Sequence, residues 1–488
     1  MSKRCVTPRL IQNLPYIIRG HSTTPSPAIS PAFTLTDRSD TRPSNNTNET
    51  SAPTKILDLE DAKKIFSSVS TTKLLRSSLT LQMAALEPMV DVGLWAINSK
   101  LMELPIFKKM VFGIVEKTFY EHFCAGPDLE AVGRTVLKLQ ESGLKGMLDY
   151  GLEHADDNES CDQNFKEFMQ TIESTKSLPP SSVSFVVVKI TAICPISLLK
   201  RVSDQLRWEA KDSSISLPWK QRTLPIFSET SPLYHTQNKP RSLTLEEEND
   251  LNRAHERLKK LCETCVEADV PLLIDAEDTI LQPAIDYMTY WAAIKYHKGD
   301  EPVVFGTVQA YLKDANERLI QTKNAAEKMG IPMGFKLVRG AYMSSESKLA
   351  ASLGVDSPIH DNIDQTHTCY NNCADFMLEK VANGSGALVL ATHNVESGKL
   401  AAAKAIELDI GKENKNLQFA QLYGMSEVLS FALRNAGFQV SKYLAFGNVE
   451  LIMPYLIRRA EENRGLLSSS FLDRQLMRKE LVRRMRSV

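Results

Sequence analysis

The sequence predicts an α/β protein, a distorted (β/α)8 barrel with an N-terminal helical extension. Three observations carry this. Eight short apolar runs follow one another between Gly146 and Phe446. Amphipathic stretches of helical period separate them. No G-x-G-x-x-G occurs, so an open dinucleotide-binding sheet has no support. Continuous apolar strands alternating with helices imply a parallel sheet covered on both faces, and eight such units favour closure into a barrel.

The elements follow in order. Met1 to Thr36 holds Lys3, Arg4, Arg9 and Arg19 and no acidic residue, and Leu10, Leu14, Ile17 and Ile18 form one apolar helix face. That is the profile of a mitochondrial transit peptide; a disordered tail is the plain alternative. Residues 1–54 are therefore set apart as targeting segment and linker. Residues 55–140 form the helical extension, where Phe107, Met110, Val111 and Ile114 recur at helix spacing. Residues 141–488 hold the barrel. Its expected strands are Gly146–Tyr150, Val183–Ile190, Pro271–Asp275, Val303–Gln309, Phe335–Arg339, Ala387–Thr392, Leu417–Leu422 and Val440–Phe446. Helical patterns cover Leu245–Glu267, Gln309–Met329, His367–Val381, Glu396–Leu408 and Val449–Asn463. One connection, residues 202–242, lacks periodicity and reads as an insertion.

Composition narrows the function. Lys and Arg number 58 against 59 Asp and Glu, which argues against a broad nucleic-acid surface but leaves room for a local basic pocket. No apolar run approaches the ~18 residues of a spanning helix, so any membrane contact is peripheral. Cys262 and Cys265 form a C-x-x-C inside a helical pattern with no second pair, and read as helix-face thiols rather than a metal site.

In a barrel enzyme the chemistry sits at the carboxyl ends of the strands. Here those ends carry Asp149 and Glu153, Lys189 and Thr191, Asp275 and Glu277, Gln309 and Tyr311, Lys336 and Arg339, Thr392 and His393, Gln421 and Leu422, and Tyr443 and Asn448. Each alone has a plain reading, a helix cap or a salt bridge. Together they are harder to dismiss, because polar groups in a barrel mouth must be paired or used. On the last barrel helix Tyr455, Arg458, Arg459 and Glu462 fall at i, i+3, i+4 and i+7 and share one face at ~100° per residue. Two readings stand: a solvated face with Arg458 near Glu462, or an arginine pair that clamps a carboxylate.

These residues, in this order, resemble the proline dehydrogenase family. The resemblance rests on Val188-Lys189-Ile190-Thr191, Ile274-Asp275-Ala276-Glu277, Val308-Gln309-Ala310-Tyr311, Lys336-Leu337-Val338-Arg339-Gly340-Ala341-Tyr342, Ala391-Thr392-His393-Asn394, Leu422-Tyr423-Gly424-Met425 and Tyr455-Leu456-Ile457-Arg458-Arg459. It runs from about Gly146 to Phe471 and looks like a eukaryotic, plant member.

The resemblance implies FAD held without covalent attachment over the barrel mouth. It implies oxidation of L-proline to Δ1-pyrroline-5-carboxylate by hydride transfer from C5 to the flavin N5. Electrons would pass to ubiquinone through peripheral contact with the matrix side of the inner mitochondrial membrane, where the basic stretch Arg474–Arg486 is one candidate contact and a solvated tail the other. Arg458, Arg459 and Lys189 would hold the substrate carboxylate. Asp275 would support Arg458. Glu153 would be a gate carboxylate paired with the second arginine. Tyr443 would pack on the ring, with Ala341, Tyr342, Leu422 and Tyr455 completing the pocket. Gln309, Lys336, Arg339, Thr392 and His393 would hold the flavin, with Glu462 and Phe471 nearby.

Two departures matter. Lys336 and Arg339 stand where bacterial members carry Arg and Lys, which keeps charge but changes bond geometry. Hydroxyproline-oxidising members carry a smaller side chain at the Tyr443 position, so this ring favours proline. The rival readings are a folate-reductase-like flavin barrel and a proline-binding protein without catalysis.

Overall fold

In the computed structural model of the chain, the structure describes residues 56–465 and 470–486. The expected transit peptide lies outside them. The described residues form one compact unit.

Eight parallel strands close into a barrel: β1 Lys145–Tyr150, β2 Val183–Val188, β3 Leu272–Ile274, β4 Val304–Gln309, β5 Met333–Val338, β6 Gly386–Ala391, β7 Leu417–Leu422 and β8 Val440–Phe446. Each pairs with its sequence neighbours, and β1 closes on β8 with Met147 opposite Tyr443. All eight expected strands form. A two-stranded hairpin, His297–Lys298 with Glu301–Pro302, adds to them and was not foreseen.

Strand alternation organises the interior. Met147, Phe185, Val187, Leu273, Phe305, Ala387, Val389 and Ala420 fill the barrel as one apolar cluster, with Ala391 and Tyr443 against it. Phe185 meets Phe305 edge-on at 4.8 Å. Gly334 lacks a side chain because a Cβ there would overlap the Phe305 ring. Since side chains repeat every two residues on one face, Asp149, Lys189, Asp275 and Lys336 lie one layer above Met147, Val187, Leu273 and Gly334. The top layer of the barrel interior is therefore charged.

Helices wrap the outside through a second, larger apolar core. Leu245–Ala268 starts in a capping box, with Thr244 and Glu247 bonding each other's backbone N–H, a feature worth ~1 kcal/mol. Two helical expectations shift. The helix expected from Gln309 begins at Ala315, because Gln309 to Asp314 leave the strand through bridge and turn backbone. The insertion also starts later than expected. Helix Ile196–Lys211 continues through its first ten residues, since Leu198, Leu199, Val202 and Leu206 give it a buried face. Residues 212–243 then run without helix or strand, tied down by Trp219 Nε1 to Gln205 Oε1 at 2.7 Å and Ser231 Oγ to Asp314 Oδ2 at 2.6 Å.

Of the N-terminal helices, Glu87–Asn98 and the turn Glu116–Tyr120 pack beside the last barrel helix, Met453–Glu462. Arg464 bridges to Asp91 at 2.8 Å and Lys108 to Glu450 at 2.6 Å. The final helix, Phe471–Arg486, turns back onto Thr71–Ala85, and Arg484 donates to the carbonyls of Phe66 and Val69 at 2.8 Å each. Its Asp473 accepts the N–H groups of Glu427 and Val428 at 2.9 Å, capping helix Glu427–Asn435 from a distance.

Candidate active site

The charged top layer is a connected cluster. Lys189 Nζ lies 3.1 Å from Asp149 Oδ1 and 3.4 Å from Asp275 Oδ2. Lys336 Nζ bonds Asp275 Oδ1, and the Tyr443 hydroxyl donates to Asp275 Oδ2 at 2.8 Å. Lys336 also sits 5.5 Å above the Tyr443 ring. Four strands, β1, β2, β3 and β5, thus converge on one floor, with Tyr443 of β8 across it.

Burial sets the electrostatics. It would raise the Asp275 carboxyl, but Lys336 and Lys189 overcome it and hold that group at about 2. Burial would lower the Lys189 ammonium, but Asp149, Asp275, Glu153 and Glu277 hold it above its ordinary range. Lys189 is therefore a charged ammonium, fixed in place. Asp149 is pushed up by burial, against the pull of Lys189 and with repulsion from Asp275.

Above the floor, the two arginines divide. Arg458 is half exposed, 49% of its side chain, and faces Glu153 Oε1 at 3.8 Å. Arg459 is buried, bonds Glu462 and stacks 4.7 Å over the Tyr455 ring. Two expectations are corrected here. Glu153 pairs with the first arginine, not the second, because consecutive helix residues point ~100° apart and Arg459 is turned inward. Asp275 does not support Arg458: it lies on the floor, where Lys336, Lys189 and Tyr443 reach it, while Arg458 stands at the rim. Glu462 bonds Arg459, so the solvated pairing of Arg458 with Glu462 is not formed either. Burial would raise the Glu153 carboxyl, but Lys189, Arg458 and His154 lower it, so the rim pair is ionic.

The other expected residues surround this floor. Gln309 is buried and donates to the Glu277 carbonyl and to Tyr311 Oη, both at 2.7 Å. Arg339 donates to Thr392 Oγ1 at 2.7 Å and stacks 4.1 Å over the Tyr370 ring. His393 Nε2 accepts the Leu422 N–H at 3.1 Å. Burial first, then Arg459, Lys442 and Arg339, push His393 down to about 3, in accord with a neutral ring that accepts. Tyr455 is buried, with its hydroxyl 3.5 Å from the Phe123 carbonyl. Leu422 is half-buried and Ala341 is exposed. Tyr342 is half-buried, at φ 54°, and leads into helix Met343–Leu353, an element the sequence reading left unassigned. Phe471 is exposed, at the start of the final helix. Asn394 serves as a cap, accepting the Ser397 N–H at 2.9 Å. Cys262 and Cys265 are buried free thiols.

Sequence reasoning gave no role to two residues of this site, Asp149 and Glu277. Both stand among the polar strand ends of the sequence, and strand alternation from Met147 turns the first inward. Glu277 is 1% exposed and accepts from Thr191, a pairing no spacing rule reveals.

Among the buried polar atoms that lack a partner are Gln309 Oε1 and Arg459 Nε, both on residues of this site. Orphaned groups of this kind call for a ligand or water. A flavin ring offers both N–H donors and carbonyl acceptors, so the residues present fit one.

The site can be set beside known proteins. The solved structure of proline utilization A from Bdellovibrio bacteriovorus, inactivated by N-propargylglycine, shares the fold, with a TM-score of 0.56 at 20% identity, over 83% of this chain and 38% of that longer one. The chain is 59% identical over 431 residues to proline dehydrogenase 2, mitochondrial, of Arabidopsis thaliana, covering 88% of this chain and 90% of that one. It is 58% identical over 432 residues to proline dehydrogenase 1, mitochondrial, of the same plant, covering 88% and 87%. The family model described as proline dehydrogenase matches residues 132–474, which takes in every strand of the barrel and both arginines: the chain belongs to the proline dehydrogenase family.

Proposed function

We propose that this chain oxidises L-proline to Δ1-pyrroline-5-carboxylate with FAD bound at the barrel mouth. One observation carries the reading: the barrel mouth holds three cationic side chains, Lys189 on the floor and Arg458 and Arg459 on the helix above it, and Gln309 Oε1 and Arg459 Nε are left without a partner. The substrate carboxylate binds Lys189 and the arginines, and Glu153 yields Arg458 to it, since a half-exposed pair at 3.8 Å is weak. Tyr443 packs against the ring, with Ala341, Tyr342, Leu422 and Tyr455 around it. Asp275 acts on the substrate indirectly, by fixing Lys189, Lys336 and Tyr443.

Gln309, Lys336, Arg339, Thr392 and His393 would hold the flavin, with Glu462 beside them. When bound, the flavin supplies the hydride acceptor. The chain's own residues orient the amino acid, exclude water and neutralise its carboxylate. Electrons then leave to ubiquinone at the matrix face of the inner mitochondrial membrane by peripheral contact. No helix among the described residues is long and apolar enough to cross a membrane, and the names of the Arabidopsis relatives place those proteins in the mitochondrion. Residues 1–54 would supply the targeting segment and linker, 55–140 the helical extension and 141–488 the catalytic barrel.

The test is an anaerobic titration of the purified protein with L-proline, following flavin absorbance. Bleaching by proline but not by hydroxyproline is expected. A bound flavin indifferent to proline sinks the substrate assignment, and a protein that retains no flavin sinks the cofactor assignment.

A further inference from the structure

Oxidation of an amino acid at C5 releases one proton besides the hydride, because the substrate arrives as an ammonium ion and must react as an amine. The clamp described above has no obvious place for that proton. Lys189 and the arginines are cations, Asp149 and Asp275 are committed to Lys189, and Glu153 is a weak base because Lys189, Arg458 and His154 lower its carboxyl.

Glu277 is different. It lies two residues beyond Asp275, is 1% exposed, and has no lysine or arginine in ion-pairing distance among the described residues. Both its oxygens face one hydroxyl: Thr191 Oγ1 is 2.8 Å from Oε1 and 3.0 Å from Oε2. A hydroxyl has one proton to give, so it serves one oxygen well. The other is best satisfied when the carboxyl carries a proton of its own. On its outer side His154 Nε2 is 3.6 Å from Oε2, and 47% of that imidazole is exposed. His154 is held at φ 64°, a conformation unfavourable for a side-chain-bearing residue; its N–H approaches Thr191 Oγ1 at 3.4 Å. The backbone of Glu277 is fixed too, donating to Gln282 Oε1 at 2.8 Å and accepting from Gln309 at 2.7 Å.

The groups facing Glu277 are Glu153 and His154 after β1, Lys189 and Thr191 after β2, its neighbour Asp278, and Tyr342 after β5. Burial, reinforced by Glu153 and opposed by the Thr191 bond and Lys189, moves the carboxyl up to about 8. It can therefore both take and release a proton near neutrality.

We propose that Glu277 receives the proton lost by the substrate ammonium and that His154 passes it to solvent. The ammonium N–H bond breaks, its electron pair stays on nitrogen, and the Glu277 carboxylate becomes a carboxylic acid. The acid proton then moves to the His154 imidazole and on to water, restoring the carboxylate. This rests on the proline-oxidation reading, and the wild-type titration tests that reading separately.

The experiment compares holoenzyme with Glu277→Gln and His154→Ala. Gln keeps the size of the side chain and its acceptor for Thr191, but holds no proton. In Glu277→Gln, kcat/KM for L-proline is expected to fall at least tenfold near neutral pH. The deficit should close by about tenfold per pH unit above about 8, as the substrate ammonium loses its proton to solvent unaided. His154→Ala should show a smaller deficit that added imidazole relieves. A second readout does not involve turnover. A carboxyl with a raised folded value destabilises the protein once ionised, so its contribution is absent in acid and grows as pH rises from about 4.5 to about 8. The melting temperature of Glu277→Gln relative to wild type should therefore climb across that window. A loss of activity equal at every pH, or a melting difference independent of pH, would overturn the proposal.

Discussion

Replacing Asp275 with Asn keeps the side chain's shape and removes the negative charge between two buried ammonium groups. Its carboxyl stands at about 2 against an ordinary 3.8. At ~1.36 kcal/mol per unit, that difference represents roughly 2 kcal/mol of stability. The substitution also strands a charge. Lys189 keeps Asp149 at 3.1 Å, but Lys336 loses its anion while remaining 7% exposed. Uncompensated buried charges raise such losses toward ~3–5 kcal/mol, so a loss of roughly 2–4 kcal/mol is expected at neutral pH. The folded value is depressed, so the stabilisation is present in full above 3.8 and is lost as pH falls through about 2. Urea unfolding of both proteins between pH 3 and 7 gives the assay, approximating the unit as cooperative. The gap should be flat at the upper end and narrow below about pH 4. A gap that ignores pH would show that Asp275 acts through shape and not charge, and the account of the barrel floor would fail.

Arg458→Met should raise the KM for proline about tenfold, the lower end of the ~1.5–3 kcal/mol carried by a charged hydrogen bond, because Arg458 is half exposed; steady-state kinetics decide, and an unchanged KM removes Arg458 from the clamp. Tyr443→Ser opens space beside the ring and deletes the 2.8 Å bond to Asp275. It should weaken proline turnover while admitting hydroxyproline, and a variant that still refuses hydroxyproline would show that Tyr443 does not set specificity. Gly334→Ala forces a methyl group into the buried Phe305 ring, with an expected loss of ~1–3 kcal/mol. Phe305→Leu in the same chain should recover part of it, and no recovery would mean the strain lies elsewhere.

The eight strands were legible because a strand buried on both faces is apolar without interruption, and each run is bounded by turns. The short hairpin at His297 was not, since two exposed residues per strand carry no pattern. The helix through Lys211 was hidden because Lys200, Arg201, Arg207 and Lys211 obscured a buried face that only tertiary contact makes evident. Arg207 itself is fully buried, donating to the carbonyls of Thr279 and Ile280 at 2.5 and 2.7 Å.

The same division explains the site. Which residues gather at the barrel mouth follows from strand alternation, a property of the chain alone, and the sequence suffices for it. Which of them bond one another depends on depth below the rim, and depth is not written in spacing. Lys189, Asp275 and Lys336 occupy inward positions on their strands and meet at one level. The arginines project from a helix above that level, one outward and one inward. Asp275 therefore has cations closer at hand than Arg458, and Glu153, carried up by the loop after β1, is the carboxylate that meets the outward arginine. This layering separates two tasks. The floor is rigid because every charge there is buried and paired, while the rim pair is exposed enough to open. An incoming carboxylate can replace Glu153 on Arg458 without disturbing Asp275. Had Asp275 paired with Arg458, binding would have had to break the pair that also fixes Lys189 and Lys336.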